Sequence, residues 1–269
     1  MRFEFSEIDY YVKNHEAKKH TWYQPYCQTS EISPTRQEVV IHLCQELSMY
    51  RRYPLWNHDV VTYLFPHHHL ITKDVIIMPI VGSEKFFDAK ILRHEDEDYL
   101  IIDLLNVADY TTSVKEMRYI LHNLCHVQLL RYVINNTYEM PQGYYEELEY
   151  RFFCEGLTQY LSWNEDVRLY RLDKPRYITR RKEAFRSLTA AVRVEGEKIQ
   201  TQILQLMNRL DLWQRFPDIA GMFYCEYLFQ TEGVRLLKDY AMDGYDGVLD
   251  AMLDQEPEEE AESEEDTDE

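Results

Sequence analysis

From Ser113 to Val133 the chain contains neither glycine nor proline, and its apolar residues recur at helical spacing around His122-Asn123-Leu124-Cys125-His126. A run of that length and pattern reads as a buried helix. Ser113 followed by Glu116 supplies an N-terminal capping signal, and Asn135 to Gly143, rich in Asn, Pro and Gly, supplies the stop. His122 and His126 are four positions apart, so their imidazoles lie about one turn apart on one face. That spacing lets both reach a single metal ion. The competing reading is a pair of core histidines satisfied by neighbouring polar groups.

A second helix is expected from about Tyr144 to Trp163, returning antiparallel after the turn, with Glu155 near its middle. Glu155 sits among Phe152, Phe153, Cys154 and Leu157. A carboxylate in such apolar company needs a partner. A metal held by His122 and His126 is one, and an ion pair is another.

At these residues the chain resembles the gluzincin-type zinc metallopeptidases, over about residues 97 to 163. The likeness is a helix with two histidines in His-x-x-x-His spacing and a following helix with Glu155-Gly156-Leu157 and, three further on, Tyr160. The resemblance implies zinc on His122, His126 and Glu155, with water in the fourth position. It also implies a small sheet ahead of the histidine helix, with an edge strand able to pair with an extended peptide. The departure is Asn123. The family has a glutamate there as general base on the zinc-bound water, and an amide cannot take up that proton. Losing a general base costs about 10²–10⁴ in rate. No other residue is placed over the metal by the sequence; Glu139, Glu146, Glu147 and Glu149 are near in the chain, and Tyr160 would serve as oxyanion donor if its face turns inward.

The expected fold class is α+β: mostly helical, with a small mixed sheet within about 59–105 preceding the histidine helix, metallopeptidase-like in plan. Tyr10 to Lys13 reads as either a short helix or a strand. A helix starts at Ser33-Pro34-Thr35, where Thr35 and Glu38 form a capping-box pattern. Asp59–Phe65 and Val75–Val81 are β-rich, and Pro79 places the latter at an edge or a bulge. Ala89–Arg93 and Tyr99–Leu104 flank the acidic His94–Asp98 as a hairpin. His67, His68 and His69 read as an exposed loop after Pro66, with a supplementary ligand or a pH-sensitive contact as the sharper alternative. His15, His20, His42 and Cys27 match no metal spacing and read as packed or surface residues.

After Trp163 the chain reads as helical. Tyr177 to about Leu210 is a long charged stretch in which Gly196 marks a kink, and Ala220–Tyr240 is a further helix. Asp243-Gly244-Tyr245-Asp246-Gly247 is turn punctuation without the spacing of a calcium loop. Arg176, Arg180, Arg181, Lys182 and Arg186 make the start of the long stretch basic. Such a face is either solvated or holds the acidic tail or an acidic partner.

Charge is unevenly spread. Residues 254–269 hold eleven acids and no base, so of the net charge of −19 the remainder of the chain carries −19 + 11 = −8. The tail is expected to be disordered and solubilising, since it repels itself and buries nothing apolar; contact with a basic partner or mimicry of nucleic-acid charge are the sharper readings of it. Residues 1–253 are expected to form one domain. An acidic body argues against direct binding to a nucleic-acid backbone, and eight glycines without a GxxxxGK[ST] or GxGxxG pattern argue against a nucleotide loop. No apolar run reaches the roughly 18 residues of a membrane span, and the charged start, Met1 to Glu7, lacks a signal-peptide centre. Five scattered cysteines without a CxxC pair fit reduced thiols. Together these give the expectation of a soluble, cytoplasmic protein.

Two functions are consistent with these features. One is a zinc-binding, metallopeptidase-like protein with weak or lost peptidase activity, acting on a peptide or protein. The other is a non-enzymatic interaction protein that uses the same fold as a scaffold and the acidic tail for partner contact.

Overall fold

The computed structural model describes residues 2–14, 22–23, 34–49, 57–83, 88–162, 166–208 and 212–253. His15, His20, Cys27, Ser33, Trp163 and the tail 254–269 lie outside them. Two compact units divide the chain: residues 1–139 with 158–171, and residues 140–157 with 172–269.

The first unit is built on a four-stranded mixed sheet in the order β1-β2-β4-β3: β1 Arg2–Phe3, β2 Ile76–Ile80, β3 Ala89–His94 and β4 Glu97–Asp103. β2 is parallel to both β1 and β4, and every one of its residues is buried, as expected of a parallel strand covered on both faces. β3 and β4 form the expected hairpin in the register His94↔Glu97. Its turn residues Glu95 and Asp96 both have positive φ, at 48° and 65°, the backbone that suits a two-residue hairpin turn.

Pro79 sits in an inner strand yet costs no ladder bond. Arg2 and Glu4 donate their N–H groups to the carbonyls of Val75 and Ile77. Alternation turns position 79 toward the same side, and β1 ends before reaching it. The strand is therefore locally an edge where its N–H is missing.

Helices α1 Ser6–Asn14 and α5 Leu104–Asp109 pack on β2, while α6 Val114–Asn135 packs on β3 and β4. Asp103 ends β4 and caps α5, accepting from Leu105 N at 2.8 Å and Asn106 N at 3.3 Å. Burial raises its carboxyl above the usual range, and these bonds with that from Ser83 N pull it back. The undecided Tyr10–Lys13 lies in α1.

Three expectations need correction. Asp59–Phe65 is not a strand: Asp59 to Leu64 lie in α3, His58–Leu64, and Phe65 is its C-terminal cap. Its buried residues are Val60, Val61 and Leu64, a helical spacing that outweighs the β-propensity of its valines and threonine. His67, His68 and His69 do not form a loop: His68 opens α4, His68–Thr72, and is 6% exposed while its neighbours face solvent. The helix α2, Pro34–Met49, begins with Pro34 in its first turn, so Thr35 lies inside the helix and is not its cap.

The second unit is helical. It contains α7 Tyr144–Tyr150, a π-helical turn Arg151–Glu155, the first residues of α8 Gly156–Ser162, and then α9 Pro175–Val192, α10 Glu197–Met207, α11 Phe216–Glu232, α12 Val234–Asp243 and α13 Val248–Leu253. Gly196 (φ 104°) breaks the long charged stretch where the sequence marks a kink, and Gly233 (φ 69°) breaks the Ala220–Tyr240 stretch expected as one helix. Only glycine enters that backbone region without strain. α11 packs on α9, α12 and the π turn. Among the described residues no helix is long and apolar enough to cross a membrane.

Candidate functional site

α6 forms because its apolar residues fall on one stripe. Met117, Leu121, Cys125, Leu129 and Val133 recur every fourth residue, and all are buried. The Met, Leu and Val side chains of the stripe each contribute about 1.5–3 kcal/mol by leaving water. Ser113 caps the helix, its Oγ accepting from Glu116 N at 3.5 Å. His126 belongs to the buried stripe and is 0% exposed, whereas His122 is half-buried at its flank.

The Nε2–H of His126 donates to the carbonyl of Leu161 at 3.3 Å. Burial pushes the ring's pKa down to about 4; the Leu161 carbonyl acts against that shift and His122 adds to it. The ring is therefore neutral near pH 7. Burial likewise lowers His122, with Glu46 acting in the opposite sense.

Glu46 comes from α2, which packs on α6. It is 8% exposed and pairs with Arg118 of α6 at 2.7 Å. Arg118 also donates to His42 Nε2 at 3.2 Å. His42 and Glu46 are one turn apart on α2, as Arg118 and His122 are on α6. These residues form the polar cluster around His122, and the sequence reading did not join them. The i, i+4 spacings were present in both segments, but only the packing of α2 against α6 gives them a common location.

Asn123 lies in the same turn. Its Oδ1 is buried and has no hydrogen-bond partner among the described residues. An acceptor left bare in this way costs about 1–3 kcal/mol.

Glu155 is the last residue of the π turn and is half-buried, not enclosed as its apolar neighbours suggested. Burial raises the Cys154 thiol, with Glu155 adding to the shift. Gly156 follows. A Cβ there would stand 2.6 Å from the backbone carbon of Gly221 in α11. The glycine of the Glu-Gly-Leu segment is thus required by helix packing, independently of any metal. Tyr160 is fully buried, its ring edge-on to Tyr170 at 5.3 Å and its carbonyl accepting from the Tyr170 hydroxyl at 2.8 Å.

The nearby acids are engaged elsewhere. Glu146 accepts from the backbone N–H groups of Gln142 and Gly143, Glu147 pairs with Arg151 at 2.8 Å, and Glu149 accepts from Leu249 N at 3.4 Å. Glu139 is exposed. His68 donates from Nδ1 to the Phe65 carbonyl at 2.9 Å and lies edge-on to His58 at 5.5 Å. Burial lowers its pKa.

His122 and His126 lie in the first unit and Glu155 in the second. Among the described residues no three His, Cys, Asp or Glu side chains gather where they could hold a metal ion. Comparison with protein-family models, curated proteins and solved structures returns no match.

Proposed function

We propose that this chain is a metallopeptidase-like protein without competent hydrolysis, acting by binding a peptide or protein. The single observation that carries this reading is Asn123, an uncharged amide with a bare buried oxygen where the resemblance requires a proton-accepting carboxylate. His126 supports it, since the ring N–H is already committed to the Leu161 carbonyl. Binding a peptide does not need a base.

A second reading, zinc held by His122, His126 and Glu155, is favoured by two observations. Burial keeps both imidazoles in the neutral form that ligates metal, and π turns such as the one ending at Glu155 are frequent at functional sites. Elemental analysis of the purified full chain separates the two. The binding reading expects no stoichiometric zinc, and unchanged traces in His122→Ala, His126→Ala and Glu155→Gln. Equimolar zinc lost in those variants establishes the second reading. Peptide hydrolysis by the unaltered chain would overturn the first.

A further inference from the structure

We propose that the basic face of α9 is the docking place of this chain's own acidic segment, residues 254–269. The inference is independent of any metal or peptidase kinship.

α9 carries Arg176, Arg180, Arg181, Lys182 and Arg186 against a single acid, Glu183. All five cations are exposed. Among the described residues Arg176, Arg180, Arg181 and Arg186 form no ion pair with a carboxylate. Their contacts are aromatic where they have any: Arg176 over the Tyr177 ring at 4.5 Å, Arg180 over Trp213 at 4.9 Å and Arg181 over Phe185 at 5.9 Å. Tyr177 and Trp213 stack on each other at 5.9 Å. The guanidinium groups of Arg176, Arg180 and Arg181 thus lie over rings, and Arg176 also donates to the Tyr177 hydroxyl at 2.8 Å; a cation over a ring keeps donor edges that an anion can take.

The helix itself is arranged against its own electrostatics. Its N-terminal end carries partial positive charge, yet the first turn has no acid, and Lys174 at the cap makes no side-chain capping bond. Lys174 and Arg176 stand at the end of the helix that an anion would stabilise, and the other cations follow along the next turns. An acidic ligand corrects that imbalance, and solvent does so only weakly.

The occupant follows from connectivity. Tyr144 of α7 donates to the carbonyl of Ala191 in the last turn of α9 at 3.0 Å, and Tyr145 donates to Asp250 of α13 at 2.6 Å. Adjacent tyrosines therefore hold the C-terminal end of α9 and the helix from which residue 254 departs. α9 has 18 residues and is about 27 Å long. The segment 254–269 spans about 50 Å when extended, enough to run back along the whole helix to Arg176. Its eleven acids meet five cations at the high effective concentration of a short tether. An external polyanion or a second copy would have to displace it.

The test is carbodiimide cross-linking of the full chain, read by mass spectrometry. Lys174 and Lys182 are exposed amines on or beside this face. The expected products join them to acids of 254–269 within one chain, which mixed 14N and 15N protein identifies. Yield falls about tenfold between 50 mM and 1 M NaCl as the Debye length shrinks to about 3 Å, and falls likewise in the Arg180→Glu, Arg186→Glu double variant. A chain whose tail acids are changed to amides gains at least about tenfold in affinity for poly-glutamate. Absence of tail products at Lys174 and Lys182, or products only between chains, overturns the proposal. So does equal poly-glutamate affinity with and without the tail charges, which assigns the face to an external polyanion.

Discussion

Gly221 of α11 leaves room for the carbonyl oxygen of Phe152: a Cβ at position 221 would stand 1.7 Å from that atom. No rotamer change relieves such an overlap, because both sides are backbone. Gly221→Ala is expected to destabilise the second unit by about 3 kcal/mol, the upper part of the usual overpacking range. Thermal unfolding should show a midpoint lowered by roughly 6–12 °C, with Gly156→Ala lowered in the same direction. An unchanged midpoint would mean that the helices can separate freely there.

Glu149 provides a pH test. It is 4% exposed, and burial raises its carboxyl above the usual range while the N–H groups of Leu249 and Gly247 act against the shift. A raised folded-state pKa means that the favourable contribution is whole below pH 4.5 and is lost as pH rises through the folded value. Glu149→Gln removes that loss. The variant should therefore gain stability relative to the wild type as pH goes from about 4.5 to 7, measured by urea unfolding at each pH. A difference that does not vary with pH would refute the assignment.

Asn123→Leu removes the bare buried oxygen without removing volume. Replacing an unsatisfied acceptor by an apolar group of similar shape is neutral or stabilising, so a gain of up to about 1 kcal/mol is expected, read by the same unfolding. Asn123→Asp places a charge on the bare atom and should destabilise. A marked loss in the leucine variant would show that the amide has a partner in solution.

Glu46 acts on His122 through charge. Removing that charge in Glu46→Gln takes away the influence that raises the imidazole, so the His122 titration followed by NMR should move lower. The ion pair with Arg118, which is 47% exposed, should cost no more than about 1 kcal/mol on removal. An unmoved titration would place the carboxylate away from the ring.

Much of the chain's layout was legible in its periodicity. α6 and its Ser113 cap, the β3–β4 hairpin with its acidic turn, and the stop at Asn135 all rest on local chemistry that the residues carry with them. Errors arose where short segments take their state from packing. The run from Val60 to Leu64 is β-branched enough for a strand, and it becomes a helix because three of its apolar side chains meet the core at helical spacing. Pro79 was half legible: it marks an edge, but one created by where β1 stops. The polar cluster of His42, Glu46, Arg118 and His122 needed the pairing of α2 with α6, which no local pattern reveals.

The π turn from Arg151 to Glu155 also alters how the sequence there should be counted. Its wider winding carries one residue more than an ordinary turn, so everything downstream in α8 is rotated by about 100° from where a continuous 3.6-residue repeat would put it. Deleting a single residue from that turn is the smallest edit that would restore a regular screw. It would also swing Gly156 off the flank of α11 and leave a side chain in its place.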